Sequence, residues 1–336
     1  MQKCLFAPGK LSGRFPSDLK SYFEENGIEL IENPFGKIIS GEQLTSTIKD
    51  YDAVIAGGEP YNASTLKLAS KLKIIARVGV GYDRVDLNEA TKRGIFVTWT
   101  PIPEIARAEA EHTFALILSF EKKIPFMNSE VREGIWEPEK WGASIDDLYH
   151  LKLGIVGLGR IGSEVATRAK AFGMNVAYYD VERKNEIENQ LGIKFLPLDE
   201  LLSESDIISL HIPLMPHTRN LMNQNTLGKM KKSAILVNTS RGPIVDSHAL
   251  YSALNAGVIA GACLDVLDEE PPSSDHVFFR LGNRLPNLIL TQHVGYGPFT
   301  GRALVYCAAE DVMRVLRGEA PQYLLNKELL NDRKTI

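Results

Sequence analysis

The sequence predicts an α/β protein made of two open parallel-sheet domains, and three observations carry that prediction. Short apolar runs rich in β-branched residues alternate with helical patterns along most of the chain, the rhythm of β-α-β units. One such run leads straight into a Gly-x-Gly-x-x-Gly turn at 157–162. The length, 336 residues, suffices for two cores at about 150 residues per domain.

The elements follow in order. In the first hundred residues, strands are expected at 4–7, 28–32, 53–57, 74–78 and 95–98, with helices at 17–26, 41–49 and 63–70. Thr100-Pro101-Ile102-Pro103 disfavours a helix, because proline constrains both itself and its predecessor. A domain crossing is expected there, followed by one long helix at 104–121. A second strand series is expected at 153–157, 175–180, 194–197, 207–212, 234–238, 261–265 and 288–291. A last helix at 301–316 follows the Gly/Pro loop at 295–298 and is free to return to the first series, while the charged tail after Asn326 is expected to be loose.

Composition narrows the class. Hydrophobic residues make up 44% and charged residues 24% of the chain, a globular rather than a disordered balance. A net charge of −4 provides no overall positive field for nucleic acid or for an anionic membrane, so neither is an expected partner. Cys4, Cys263 and Cys307 are odd in number and far apart, with no Cys-x-x-Cys pair, which suits a reducing cytoplasm. The first ten residues carry no secretory pattern, and no run of about 18 apolar residues appears. His211 and His217 have poor metal-ligand spacing across Pro213 and Pro216, and no metal site is expected. Trp136 and Trp141 are read as loop packing rather than a stacking platform.

The strongest local signal is Leu153-Gly-Ile-Val-Gly157-Leu-Gly159-Arg160-Ile161-Gly162, a buried-strand pattern running into a glycine turn and a helix. Gly157 permits the tight turn, Gly159 lets backbone approach a pyrophosphate, and Gly162 allows close helix–strand packing. The helix N-terminus offers free N–H groups to phosphates. A second strand ends at Asp180, where a carboxylate accepts hydrogen bonds from the adenosine ribose and repels a 2′-phosphate. NAD is therefore the expected cofactor over NADP, with Arg183 the nearby residue able to soften that preference.

Three later stretches place a polar residue just past an apolar strand: Thr239-Ser240-Arg241-Gly242, Asp265 to Glu270, and Thr291-Gln-His293-Val-Gly295. In open α/β sheets the loops beyond strand carboxyl ends line the ligand crevice. Oxidation of a hydroxy acid needs a base for the hydroxyl proton and a cation for the carboxylate. Histidine has a pKa suited to the first task and a guanidinium a bidentate geometry suited to the second. Taken singly, Arg241 could cap a strand, Glu270 could be a solvated member of the acidic run at 268–270, and His293 could be a satisfied structural histidine. Their joint placement is what points to chemistry.

The ordered motifs Gly-Leu-Gly-Arg-Ile-Gly, Asn-Thr-Ser-Arg-Gly-Pro-Ile-Val-Asp, Asp-Val-Leu-Asp-Glu-Glu-Pro and Thr-Gln-His-Val-Gly, with Arg77-Val-Gly79-Val80-Gly81-Tyr82-Asp83 upstream, resemble the D-isomer-specific 2-hydroxyacid dehydrogenases over nearly the whole chain. The resemblance lies with the phosphoglycerate and glyoxylate/hydroxypyruvate branches. It implies a Rossmann NAD-binding domain at 101–294 and a flavodoxin-like substrate domain made of 1–100 with 295–336. It further implies His293 as general acid/base, Glu270 as its orienting carboxylate, and Arg241 as the carboxylate clamp. Val80 and Gly81 would lend backbone N–H groups to substrate; Arg160, Ile161, Asp180, Thr239, Ser240, Asp265 and Gly295 would contact NAD, and Pro213 would border the adenine. A homodimer acting on a small 2-keto or 2-hydroxy acid is expected on the same ground.

Departures bear on the substrate. Where phosphoglycerate-type members present a basic residue, this chain reads Gly57-Gly58-Glu59-Pro60-Tyr61, and an acid at Glu59 is expected to oppose a phosphate unless Lys10 or Arg14 supplies a cation. A non-phosphorylated acid such as glyoxylate or hydroxypyruvate is thus expected, with D-3-phosphoglycerate dehydrogenation or an NAD(H)-sensing corepressor-like role as alternatives. The segment Pro101 to His112 departs from the usual asparagine-containing, Val-Ala-Glu version, and Tyr296 and Gln292 replace a small residue and a proline. Glu270 argues against formate oxidation and Val80 against phosphite oxidation, since those activities go with Gln and Lys there.

Overall fold

The computed structural model describes residues 1–8, 18–280 and 285–332. Lys10 and Arg14 lie outside the described residues. The first strands and helices are β1 (Gln2–Phe6), α1 (Leu19–Glu24), β2 (Ile28–Glu32), α2 (Gly41–Thr47), β3 (Ala53–Ala56), α3 (Ala63–Leu68), β4 (Ile74–Arg77), α4 (Leu87–Lys92) and β5 (Phe96–Thr98). Then come α5 (Pro103–Glu121), α6 (Ile124–Arg132), α7 (Pro138–Gly142), β6 (Lys152–Val156), α8 (Arg160–Ala171), β7 (Asn175–Tyr179), α9 (Asn185–Leu191) and β8 (Lys194–Phe195). The remainder is α10 (Leu198–Glu204), β9 (Ile207–Leu210), α11 (Gln224–Leu227), β10 (Ile235–Asn238), α12 (Ser247–Asn255), β11 (Gly261–Leu264), β12 (Leu288–Leu290), α13 (Pro298–Leu316) and α14 (Glu328–Asp332).

The chain forms two compact units, Met1–Ile105 with Gly297–Ile336, and Ala106–Tyr296. The first holds a five-stranded sheet in the order β2-β1-β3-β4-β5, with all four neighbour pairings parallel. Alternation along each strand sends side chains to opposite faces. Cys4, Phe6 and Ile55 pack with Val305, Ala308 and Val312 of α13 on one face, whereas Leu5, Val54 and Ile75 pack with Leu44 and Leu66 on the other. The helices start where their sequence provides a cap: Ser40, Asn62 and Asp86 accept from the backbone N–H of Gln43, Thr65 and Glu89.

The second unit holds a seven-stranded parallel sheet in the order β12-β11-β10-β9-β6-β7-β8. The same alternation puts Leu153, Ile155, Ile235 and Val237 under α5 and α8, and Val156, Leu236 and Ile208 under α10 and α12. The order reverses at β6, so the loops leaving β6 and β9 diverge and open a crevice at the strand carboxyl ends.

Several expectations need correction. Pro103 and Pro298 begin helices rather than preventing them, because the missing N–H falls where the first turn has no use for it. The tail expected to be loose after Asn326 continues as α14, while residues 333–336 lie outside the described residues. The Asn326 carboxamide is fully buried, accepting from Val97 N at 2.9 Å and donating to Ile95 O at 2.9 Å, and α14 buries Leu329. Glu59 is not presented to solvent as an acid beyond a strand was expected to be: its side chain is fully buried and turns back to accept from Gly57 N at 2.7 Å. Burial raises its pKa, with its own and the Gly57 amides and Arg77 opposing. Trp141 lies on α7, stacks on Phe126 at 5.9 Å and donates to Glu130 at 2.6 Å, while Trp136 sits exposed in the loop between α6 and α7.

Candidate functional site

The second unit brings the three catalytic candidates to one end of its sheet. Arg241 follows β10, Glu270 follows β11, and His293 follows β12. Parallel strands make this inevitable, since every strand carboxyl end points the same way. Glu270 accepts twice, from His293 Nδ1 at 2.7 Å and from Leu267 N at 3.0 Å. Burial pushes the Glu270 carboxyl up, but the bond and charge of His293, the Leu267 amide and Arg241 outweigh it and leave the group below its ordinary value. Partial burial pulls the His293 imidazole down; the Glu270 bond and charge exceed that and leave it raised. The pair is thus an ionised carboxylate holding a readily protonated imidazole.

Backbone geometry aims these side chains. His293 has φ 54°, a left-handed conformation that a non-glycine residue adopts only when its surroundings enforce it. The enforcement comes from Asp265, whose carbonyl accepts from His293 N at 2.8 Å and whose Oδ1 accepts from Val294 N at 3.2 Å. Arg241 is presented by Asn238, which accepts from Ser240 N at 3.0 Å and donates to Arg241 O at 2.9 Å. Gly242 lets this loop lie directly on the next, because a Cβ there would sit 1.9 Å from the Leu267 carbonyl.

A second layer comes from α5, which presents Glu109, His112 and Thr113 on one face at i, i+3 and i+4. Thr113 Oγ1 is 3.1 Å from Thr239 Oγ1. His112 Nε2 is 3.2 Å from both Thr291 Oγ1 and Asp265 Oδ1, and Thr291 donates to Asp265 at 2.6 Å. The Asp265 bond raises the His112 pKa against burial. Burial pushes the Asp265 carboxyl up, and its bonds with His112 and Thr291 bring it below the ordinary value. Its Oδ2 is buried with no protein donor, a demand that a ligand amide would meet. The sequence marked Glu109 and His112 only within a departing segment and assigned them no task. The available signal was the i, i+3, i+4 spacing of Glu109, His112 and Thr113, set among further polar residues of the same helix such as Arg107 and Glu111.

The glycine turn fits a dinucleotide. Gly157 has φ 97°, and a Cβ there would lie 2.6 Å from His211 O; one at Gly162 would lie 2.1 Å from Gly157 O. At Gly159 a Cβ would meet nothing, so the cradle's outer lip is open, and no side chain caps the start of α8. Arg160 is exposed and Ile161 half-buried on the first turn of α8. Asp180 Oδ2 accepts from Leu158 N at 2.8 Å, drawing the strand-end acid against the turn. Arg183 is engaged bidentately by Glu188, at 2.8 Å for each contact. Exposed Pro213 follows β9, and Thr239, Ser240 and Gly295 lie beyond β10 and β12 at the same sheet end. His211 belongs to the framework: its Nε2 is 2.8 Å from Ser209 Oγ, and burial drives its pKa to about 3. Val80 and Gly81 lie in the other unit, in the half-buried turn after β4, where Arg77 Nε donates to Gly81 O at 3.1 Å. Among the described residues no group of three or more His, Cys, Asp or Glu side chains is placed to hold a metal ion.

Comparison with known proteins shows the family. Residues 114–295 match the family model described as D-isomer specific 2-hydroxyacid dehydrogenase, NAD binding domain. The chain is 38% identical over 338 residues to a glyoxylate reductase of Korarchaeum cryptofilum, covering 99% of this chain and 98% of that one. It is 40% identical over 325 residues to a glyoxylate reductase of Pyrococcus furiosus, covering 92% and 95%. The crystal structure of the TT0316 protein from Thermus thermophilus superposes with a TM-score of 0.83 at 36% identity, over 97% of this chain and all of that one. The chain belongs to the D-isomer-specific 2-hydroxyacid dehydrogenase family and is an NAD-dependent oxidoreductase.

Proposed function

We propose that the enzyme reduces a small non-phosphorylated 2-oxo acid, glyoxylate or hydroxypyruvate, to the D-2-hydroxy acid, with His293 as proton donor. The observation that carries this reading is the 2.7 Å bond between His293 Nδ1 and Glu270, formed at the sheet end that also presents Arg241. The glyoxylate reductase relatives support the choice of substrate.

In this mechanism Glu270 keeps Nδ1 occupied, so the protonated ring turns its Nε2–H toward the substrate carbonyl oxygen and releases that proton as the hydroxyl forms. Arg241 binds the planar carboxylate through parallel charge-assisted hydrogen bonds, each contributing about 1.5–3 kcal/mol. NADH, when bound, supplies the hydride to the carbonyl carbon. The Gly157–Gly162 turn with Arg160 and Ile161 would hold its pyrophosphate, Asp180 its ribose, and Pro213 the adenine edge. Thr239, Ser240, Asp265 and Gly295 would line the nicotinamide side, where the unpartnered Asp265 oxygen favours a carboxamide N–H. In the first unit, Val80 and Gly81 would donate backbone N–H groups to the acid. That unit would serve as the substrate domain.

The test is a panel of purified protein and NADH with glyoxylate, hydroxypyruvate, phosphohydroxypyruvate, pyruvate and bulkier 2-oxo acids. Turnover of the two small non-phosphorylated acids above the rest is expected. Preference for phosphohydroxypyruvate would assign the phosphoglycerate activity, and NADH binding without any turnover would assign a sensing role. A cytoplasmic homodimer completes the reading. Three unpaired cysteines suit a reducing compartment, although among the described residues the direct observation is only that no helix is long and apolar enough to cross a membrane. Ile124, Val131 and Trp136 around α6 are 52%, 50% and 79% exposed, an apolar patch suited to a second copy, and sedimentation would check it.

A further inference from the structure

Glu109 has an environment that the mechanism above does not use. It projects from α5 on the same face as His112 and Thr113, and its Oε2 is buried without a hydrogen-bond donor. The carboxyl is pressed against Gly295, two residues past His293, so closely that a Cβ on that glycine would lie 2.4 Å from Oε2. Four charged groups act on it: Asp265 beyond β11, His293 beyond β12, Arg241 beyond β10, and His112 on its own helix.

We propose that Glu109 is a specificity-determining residue that admits an anionic 2-oxo acid while its carboxyl is neutral and disfavours it once ionised. The inference rests on the keto-acid reading of this site. Charge accounting supports it. With both imidazoles protonated, Arg241, His293 and His112 supply three positive charges against the two carboxylates Glu270 and Asp265. The single positive charge left over matches a monoanionic substrate. Ionisation of Glu109 releases its proton to solvent and cancels that surplus, so the incoming acid meets a cluster with no net attraction. Burial, reinforced by the Asp265 charge, pushes the Glu109 carboxyl up to about 7, with His293, His112 and Arg241 opposing. The change therefore falls near neutral pH.

The test compares wild type with Glu109→Gln and Glu109→Val from pH 6 to 8.5. It measures kcat/KM for glyoxylate at saturating NADH, and oxamate affinity for the NADH complex by fluorescence. His293 and His112 titrate in all three proteins and are coupled to Glu109, so the ratio of variant to wild type reads the Glu109 charge together with the shift it imposes on the two imidazoles, and oxamate affinity provides a readout separate from proton donation in turnover. The ratio is expected to rise about tenfold across this range for both readouts. A purely structural role would lower the variants equally at every pH, and a flat ratio overturns the proposal. Failure of both variants to fold, judged by lost NADH binding, would also overturn it by making the carboxyl a structural group. If wild type turns over no 2-oxo acid at any pH, the underlying functional reading fails instead.

Discussion

At the residue scale, the behaviour of His293 follows from what holds each ring nitrogen. Glu270 both orients the imidazole and stabilises its charged form. Reduction requires the protonated ring, so activity is retained below the His293 pKa and lost as pH rises through it. Glu270→Gln keeps a partner within reach but removes the charge. The alkaline limb of kcat/KM for the oxo acid should then move down by about one pH unit, read from a pH–rate profile. His293→Ala removes the proton donor altogether and should lower kcat by about 10²–10⁴-fold while NADH affinity, measured by fluorescence, stays near wild type. A comparable loss of NADH affinity would make His293 a cofactor ligand rather than the acid. The left-handed backbone at His293 sharpens the point: Asp265 pins it through two amides, so the ring is preorganised before any ligand arrives.

At the element scale, what could be read in advance was what local pattern determines. The twelve strands were legible because most are short apolar runs bounded by turn residues, and β3, β4, β9, β10 and β11 are buried along their whole length. The Gly157–Gly162 turn was legible because glycine suits both the φ of 97° at Gly157 and the packing at Gly162, where a Cβ would lie 2.1 Å from the Gly157 carbonyl oxygen. Helices α6 and α7 were not, because their buried face is nearly absent and their contacts, such as Trp141 on Phe126, are side-chain pairings that sequence spacing does not reveal. Glu109 was hidden for a related reason. Helix α5 carries several polar residues, and which of them meet the strand ends depends on sheet order. Glu59 misled because an acid after a strand reads as solvent-facing, whereas the two-residue return to Gly57 N turns it inward. That return yields a prediction. Glu59→Lys would place an ammonium in a site fully closed to solvent, costing about 3 kcal/mol or more. A lower denaturation midpoint is expected, with no gain in phosphohydroxypyruvate over hydroxypyruvate. A gain would show that the position does face substrate.

At the scale of the whole molecule, the two units differ in how chain continuity supports their cores. Ala106–Tyr296 is one uninterrupted segment with its own sheet and apolar layers on both faces. The other unit is assembled from both ends of the chain. Val305, Ala308, Ala309, Val312 and Met313 of α13 cover one face of its sheet, and Asn326 satisfies the backbone of Ile95 and Val97. Truncation after Tyr296 would strip that face and leave buried amides unpaired, each such loss costing about 1–3 kcal/mol in addition to the exposed apolar area. Against a typical domain stability of about 5–15 kcal/mol, the first unit should not survive. The expected outcome is that limited proteolysis of the truncated protein degrades 1–105 and leaves a resistant fragment near 106–296. Because the glycine turn, Asp180, Thr239 and Asp265 all lie within that fragment, it should still bind NADH while turning over no oxo acid. Resistance of 1–105 to the protease would mean that the five-stranded sheet stands without α13, and loss of NADH binding by the fragment would mean that the dinucleotide cradle is not self-supporting.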